Sequence, residues 1–445
     1  MLCGIGRPYP EESIIQESSS NPEANFEGGH AYNTEVNSDS KVKAGEKGRF
    51  VFFDNMNTTF PDPAVIAVIN GVLRTPLGNP SSHIHSAGIN AGQIIDEARE
   101  KVAGLINSAP ACVIFTSGAT ESNNLALTGF LRANPDYQLA VSAIEHYSII
   151  NQVRFLKETG ISIHVIGVDD TGVVMLDQLE DTVAQRPTLV SIALANPEIG
   201  TIQDINAISG ICHKHGAVLH CDAAAAAGLI AVDVTDMGID LLTISGHNIY
   251  GPAGVGALYV DPRFRLDPIF AGGNQEGGFR PGTENVPGIA GLGEACRLVK
   301  NNLDDWRAGL AELGVGLWNG LEKSVSFIHF TGHPERRLPG HVSFWVEHVE
   351  GESLLLLLNM KGVMASSGSA CSSNLKGKDE SDLRASHVLT AVGVPTDICS
   401  GSITFSLGKY NTQEEVDYVI SVMPGIVERL LAMSPSYEDY KKSKE

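Results

Sequence analysis

From Phe52 onward, short runs of unbroken apolar character recur along the chain, separated by stretches with apolar residues at helical spacing. The runs at 111–116, 138–143, 162–168, 188–195, 217–221 and 241–245 do not alternate with polar positions. That pattern predicts strands covered on both faces. Residues 94–106, 205–215 and the stretch starting near Glu121 read as helices. Strand–helix alternation predicts an α/β fold with a mainly parallel sheet, whose ligands bind at the carboxyl ends of the strands. After about Val299 the texture changes. Helices at 304–324 and 412–431 flank strands at 342–345, 362–365 and 401–406, and the 354–358 run reads as a buried helix face. The expected organisation is a large α/β unit over 49–300, whose first residues join a small C-terminal α+β unit over 301–445. Residues 1–48 are rich in Ser, Asn, Glu and Gly without apolar periodicity, the composition of a disordered extension. Their acidity is unlike a mitochondrial transit peptide.

Composition narrows the function classes. A chain of 445 residues suits two or three domains, or one large α/β domain with an appendage. Its 31 Lys and Arg against 52 Asp and Glu give a net charge of −21. That balance argues against nucleic-acid binding and against an acidic membrane surface. No apolar run approaches the length of about 18 residues that a membrane span needs. Seven scattered cysteines (Cys3, Cys112, Cys212, Cys221, Cys296, Cys371 and Cys399) include no Cys-x-x-Cys pair. Reduced thiols in a cytoplasmic compartment are expected, not a disulfide framework.

Several strand ends carry candidate chemistry. Ser117-Gly118-Ala119-Thr120 places small residues at a helix start, where backbone N–H groups and the helix dipole form an anion cup; an ordinary capped helix reads the same way. Ser245-Gly246-His247-Asn248 ends another strand, with Ser and His as phosphate partners or as satisfied polar groups of a tight turn. Asp222 closes an apolar strand and needs a donor or cation. His146 could stack on a flat ring or serve as a hinge histidine. Cys371 lies among small residues, followed by a polar stretch whose Lys376 and Lys378 favour a thiolate. Most lone cysteines are inert.

Taken together and in order, FDNMNTTFPDP, GNPSSHIHSAG, FTSGATESNN, EHYSII, HCDAA, SGHNIYGPAGVGALYV, GGNQEGGFRPGTEN, SSGSACSS and ITFSLGK resemble the cysteine desulfurases of the class V aminotransferase group. The resemblance covers about residues 52–442. It implies the pyridoxal-phosphate fold type I, with a large mainly parallel-sheet domain and a small C-terminal α+β domain, acting as a homodimer. By the same resemblance Ala119, Thr120, Ser245 and His247 are phosphate ligands, and Thr283 reaches the phosphate across the dimer. His146 stacks on the cofactor, Asp222 holds the pyridine nitrogen, and Cys371 takes the substrate's sulfur as a persulfide.

Other positions depart from the family. Asn248 stands where the Schiff-base lysine is expected, so the acid–base and covalent roles of that amine are lost. Pro197 and Ala225 replace two partners of the cofactor's phenolic oxygen. Thr404 replaces the arginine that clamps the substrate carboxylate, and Gly277 replaces a further arginine. The resemblance thus implies a divergent desulfurase-like protein of sulfur or iron–sulfur metabolism that does not desulfurate cysteine by the usual route. Pyridoxal phosphate, if bound, would be held non-covalently. Cys371 would be a sulfur acceptor or the metal ligand of an iron–sulfur cluster, with no other metal ligand expected. The sequence near Tyr437 and Tyr440 resembles a docking segment for an iron–sulfur scaffold or sulfur-acceptor protein, or is a plain acidic helix end. Two other readings stand beside this one: an enzyme of changed reaction using pyridoxal phosphate or another phosphorylated ligand, and a structural subunit of a mixed dimer.

Overall fold

The computed structural model describes residues 49–367, 386–395 and 402–444. The first strand, β1 (Val51–Phe52), leads into a seven-stranded sheet made of β2 (Val113–Thr116), β3 (Gln138–Ser142), β4 (Ile163–Ile166), β5 (Thr188–Ser191), β6 (Val218–Asp222), β7 (Leu241–Ser245) and β8 (Gly256–Val260). The strand order is β2-β8-β7-β6-β5-β3-β4. Only β8 runs antiparallel to its neighbours, β2 and β7. Every residue of β2, β3, β5, β6, β7 and β8 is buried, whereas edge strand β4 is partly exposed. The unbroken apolar runs have their cause here, because helices cover both faces of the sheet.

A second core lies around β9 (Ile328–Phe330), β10 (His341–Val346), β11 (Val363–Met364) and β12 (Ser402–Ser406). Strands β12, β10 and β9 form an antiparallel sheet, and β1 pairs in parallel with β11. Val51 and Phe53 therefore pack into this second core with Phe344 and Phe405. Among the described residues, no helix is long and apolar enough to cross a membrane.

The helix expected at 304–324 begins earlier and spans Val286–Ser324, 39 residues. The Asn285 side chain caps it by accepting from Gly288 N, and a proline occupies its first turn. Its first half, with Ile289, Leu292 and Val299, sits in the sheet core; its second half, with Leu310, Leu317 and Leu321, sits in the other core. Gly291 and Gly293 hid this start from the sequence pattern, since glycine disfavours helix by about 1 kcal/mol. Packing overrides that preference. A methyl group on Gly293 would lie 2.8 Å from Ala98 Cβ, and one on Gly291 would lie 2.7 Å from Ile69 Cδ1.

Residues 54–62 are lashed to both cores and set the floor of the site. Asn55 N and Met56 N donate to Ser406, while Thr59 N and Thr59 Oγ1 donate to His247 O. Asp62 pairs with Lys409, whose ammonium sits 4.2 Å from the Trp306 ring centroid and 4.3 Å from that of Tyr250.

The chain end forms the helix Pro435–Lys444. A free docking helix would expose Tyr437 and Tyr440, but both rings fold back on the second core. Phe327 lies 5.7 Å from the Tyr437 ring and 5.6 Å from the Tyr440 ring, and His348 lies 5.8 and 5.3 Å from them. The polar residues between the tyrosines, Glu438 and Asp439, face solvent. Deleting the chain from Ser434 onward should strip these contacts and cost about 1–3 kcal/mol, given roughly 0.5–1.5 kcal/mol for each of the two edge-to-face pairs on Phe327 beyond their buried area. Denaturant unfolding of the truncated and full chains measures this; superimposable curves would show that the terminal helix contributes nothing.

Candidate functional site

The carboxyl ends of β2, β3, β6 and β7 open onto a cavity of about 420 Å³. At the end of β2 the chain turns through Gly118, at φ 143°, into the helix Ala119–Asn124. No side chain caps this helix start. Its first amides are the donors that an anion would satisfy. Glu121 steadies the turn, accepting from Ser117 N at 2.7 Å and from Arg280 Nε at 3.0 Å. At the end of β7, Ser245 is fully buried and its hydroxyl has no partner among the described residues. Beside it the turn Gly246–Asn248 brings His247 and Asn248 to the cavity. Burial holds the His247 imidazole below its usual pKa.

Asp222 ends β6 at 6% exposure. Its carboxylate accepts from Asn123 Nδ2 at 2.7 Å and Ala224 N at 2.9 Å. The same Asn123 amide donates to Ser148 Oγ at 2.8 Å, and Ser148 Oγ lies 2.9 Å from His146 Nδ1. One polar chain therefore runs from Asp222 to His146. Ser148 N donates to His146 Nδ1, so in the neutral ring the proton sits on Nε2. His146 is exposed on the cavity wall and caps the helix Tyr147–Glu158.

The positions that depart from the family pattern converge on this cavity. Asn248, Pro197, Ala225 and Thr404 all line it. Asn248 Nδ2 donates to Met56 O at 2.8 Å, so its amide stitches the floor segment to the end of β7. His341 Nε2 meets Pro197 O at 2.9 Å. Thr404 is 3% exposed and its hydroxyl donates to Glu198 O at 3.0 Å. Ala225 offers no polar side-chain atom. Gly277 lies elsewhere, in a turn where Glu276 grips Arg99 through both carboxylate oxygens at 2.7 Å.

Two expected site residues are not among the described lining residues. Thr283 is exposed and is not among the lining residues. Cys371 lies outside the described residues, although Ser366 and Ser367 before that segment and His387 after it line the cavity.

Three lining residues escaped sequence reasoning: Glu145, Glu198 and His387. Glu145 is 1% exposed; its Oε1 accepts from Ala193 N at 2.9 Å, and its Oε2 has no hydrogen-bond partner among the described residues. Burial pushes its carboxyl up to about 8, against relieving bonds from Ala193 and Ser142. Glu198 keeps partial surface, but its Oε1 is covered and unpartnered, and burial pushes it up to about 8 against a relieving bond from Ser386. His387 Nε2 donates to Glu145 O at 2.9 Å, and burial lowers the ring's pKa. The signal available was a carboxylate beside His146 at a strand end, which reads equally well as a solvated loop residue.

The residues present fit pyridoxal phosphate in part. The uncapped helix start, the unpartnered Ser245 hydroxyl and His247 suit its phosphate, and Asp222 suits its ring nitrogen. The amine for a covalent link is missing, since Asn248 carries an amide bound to Met56 O.

Residues 51–419 match the family Aminotransferase class-V. The chain is 43% identical over 388 residues to cysteine desulfurase IscS 1 of Archaeoglobus fulgidus, covering 87% of this chain and 99% of that one. It is 40% identical over 394 residues to the mitochondrial cysteine desulfurase of Saccharomyces cerevisiae, covering 88% and 77%. Among solved structures, the NifS-like protein of Rickettsia africae superimposes with a TM-score of 0.77 at 32% identity, covering 85% of this chain and all of that one. A match across most of the length, with the expected sheet and a pocket at its strand ends, settles the family: the chain belongs to the cysteine desulfurases of the class-V aminotransferases.

Proposed function

We propose that this protein is a desulfurase-like component of sulfur or iron–sulfur metabolism that does not release sulfur from free cysteine by a lysine-dependent route. The observation that carries this reading is Asn248. In the place of the family's amine stands an amide committed to Met56 O. It neither forms a covalent link to the cofactor nor takes a proton near neutral pH. Thr404 adds to this, because a hydroxyl held by Glu198 O cannot pair a carboxylate as a cation would.

Pyridoxal phosphate, when bound, supplies an electron sink. In this chain it is held non-covalently. The first amides of Ala119 and Thr120, with Ser245 and His247, hold its phosphate. Asp222, oriented by Asn123, keeps a proton on the ring nitrogen, and His146, fixed through Ser148, packs on the ring. Thr283 serves the phosphate of a second copy in a homodimer. Cys371 acts as sulfur acceptor or metal–sulfur ligand. It follows cavity-lining Ser367 by four residues, a span of at most about 14 Å of chain. The recipient is a scaffold or acceptor protein that meets the exposed polar side of the terminal helix, where Glu438 and Asp439 pair with Lys441 and Lys442. A changed reaction in the same cavity is the second reading, favoured by the one carboxyl oxygen on each of Glu145 and Glu198 that has no partner among the described residues.

An active desulfurase loaded with L-cysteine should pass the outer sulfur of its own persulfide to the Cys371 thiolate, leaving the donor as its thiolate; the resulting persulfide is read by intact mass and abolished by Cys371→Ala. An unmodified thiol with this donor would end the acceptor reading. Asn248→Lys should let borohydride trap the cofactor on the protein. Its L-cysteine turnover should stay about 10–150-fold below that of an active family member, the worth of one missing charge-assisted bond at residue 404, and should rise when Thr404→Arg is added. Full turnover from Asn248→Lys alone would show that Thr404 does not limit the reaction.

A further inference from the structure

The turn suited to an anion also carries a carboxylate. The helix that starts at Ala119 runs on through 125–129 to Ala133, and no side chain caps its start. Ser245 stands beside that start. Thr116 pairs with Gly256, and Gly256 pairs with Ser245; residues opposite one another in a sheet share a face. On that face the Thr116 hydroxyl reaches Gly118 N and the Ser122 hydroxyl. The buried Ser245 hydroxyl, without a partner among the described residues, is therefore turned the same way. Two independent features call for an anion at one spot. Yet Glu121, in the first turn of the same helix, lines the cavity. Its charge takes up the positive end of the helix and repels an arriving anion.

Arg280 offsets that repulsion. Its Nε lies 3.0 Å from Glu121 Oε1, while Glu121 Oε2 accepts from Ser117 N at 2.7 Å. The Glu121 side chain is 11% exposed and that of Arg280 25%, so the pair is only partly screened by solvent. Arg280 is not among the described lining residues, and it balances the acid from behind the wall. Its own segment is anchored. Glu276 grips Arg99 and accepts from Phe115 N at 2.8 Å, and Gln275 accepts from Gly282 N at 3.1 Å. Burial holds His247 below its usual pKa. Near neutral pH that ring meets an anion as an uncharged donor and does not replace the arginine's charge.

We infer that Arg280 is a positioning residue that sets the anion affinity of this turn through Glu121, by cancelling the acid's charge and not by touching the ligand. The inference rests on the proposed reading of the turn at Gly118 as a phosphate site. With Arg280 made neutral, Glu121 faces the anion uncompensated. With both made neutral the repulsion is gone, and the helix-start amides and the Ser245 hydroxyl remain. A pair that merely clamped the turn behaves differently, because removing the second partner restores nothing that removing the first has lost.

Inorganic phosphate is the probe, since it tests the turn alone and not the ring, the missing amine or Cys371. Isothermal titration of the full-length protein, dialysed free of phosphate, should show Arg280→Gln binding phosphate about tenfold more weakly than the unaltered chain, the effect of one like charge at a partly buried site. Arg280→Lys should keep the unaltered affinity. Glu121→Gln should bind at least as tightly as the unaltered chain, and adding Arg280→Gln to it should cause no further loss. Unmoved affinity in Arg280→Gln, or a double variant as weak as Arg280→Gln, would overturn the inference and leave the phosphate site standing. No phosphate binding by the unaltered protein would overturn both. Should Arg280→Gln alone fail to fold, Glu121→Gln with and without Arg280→Gln still decides: equal affinities support charge cancellation, and a loss on adding Arg280→Gln refutes it.

Discussion

A strand buried on both faces leaves a polar side chain one inexpensive place to stand, and that place is its end. Six strands of the main sheet are buried at every position. Where polar groups do lie inside, they are paired with one another; His220 sits between Ser191 and Thr243, and burial drives its pKa down to about 3. The parallel strands point their carboxyl ends the same way. Asp222, Ser245 and the turns carrying Ala119, His146 and His247 are therefore gathered at one edge by the sheet itself. The site follows from the solvation cost of the core.

That constraint explains what was readable in the sequence. The unbroken apolar runs located the strands, and motifs at their ends pointed to the turn at Gly118 and to Asp222, which line the cavity. The strand boundaries were read too long at 162–168 and 188–195, because the apolar character continues into cavity-lining and bridging residues such as Ala193 and Ala195. The start of the long helix escaped because its glycines serve contact with Ala98 and Ile69, a tertiary reason that no local pattern carries. Glu145, Glu198 and His387 escaped for a related cause. Their character comes from burial and from missing partners, and these exist only when residues far apart in sequence close around them.

The departures from the family pattern look different once placed. Asn248, where the resemblance implies a lysine, has a structural task. Its amide joins the segment 54–62 to the end of β7, where Thr59 already grips His247 O. Thr404, likewise, ties β12 to the loop at Glu198. Both positions have become stitches between segments distant in the chain. The helix start at Ala119, Asp222 and His247 line the same cavity.

The helix Val286–Ser324 runs through both hydrophobic cores without a break. At 1.5 Å per residue its 39 residues make a strut of about 58 Å. A helix shared in this way leaves the two cores no independent melting. Fraying its second half exposes Leu310, Leu317 and Leu321, and the loss of helical register then reaches Val299 and Leu292 in the other core. The sheet unit and the smaller unit are consequently one cooperative body, and a lesion in either is felt as a loss of fold in both.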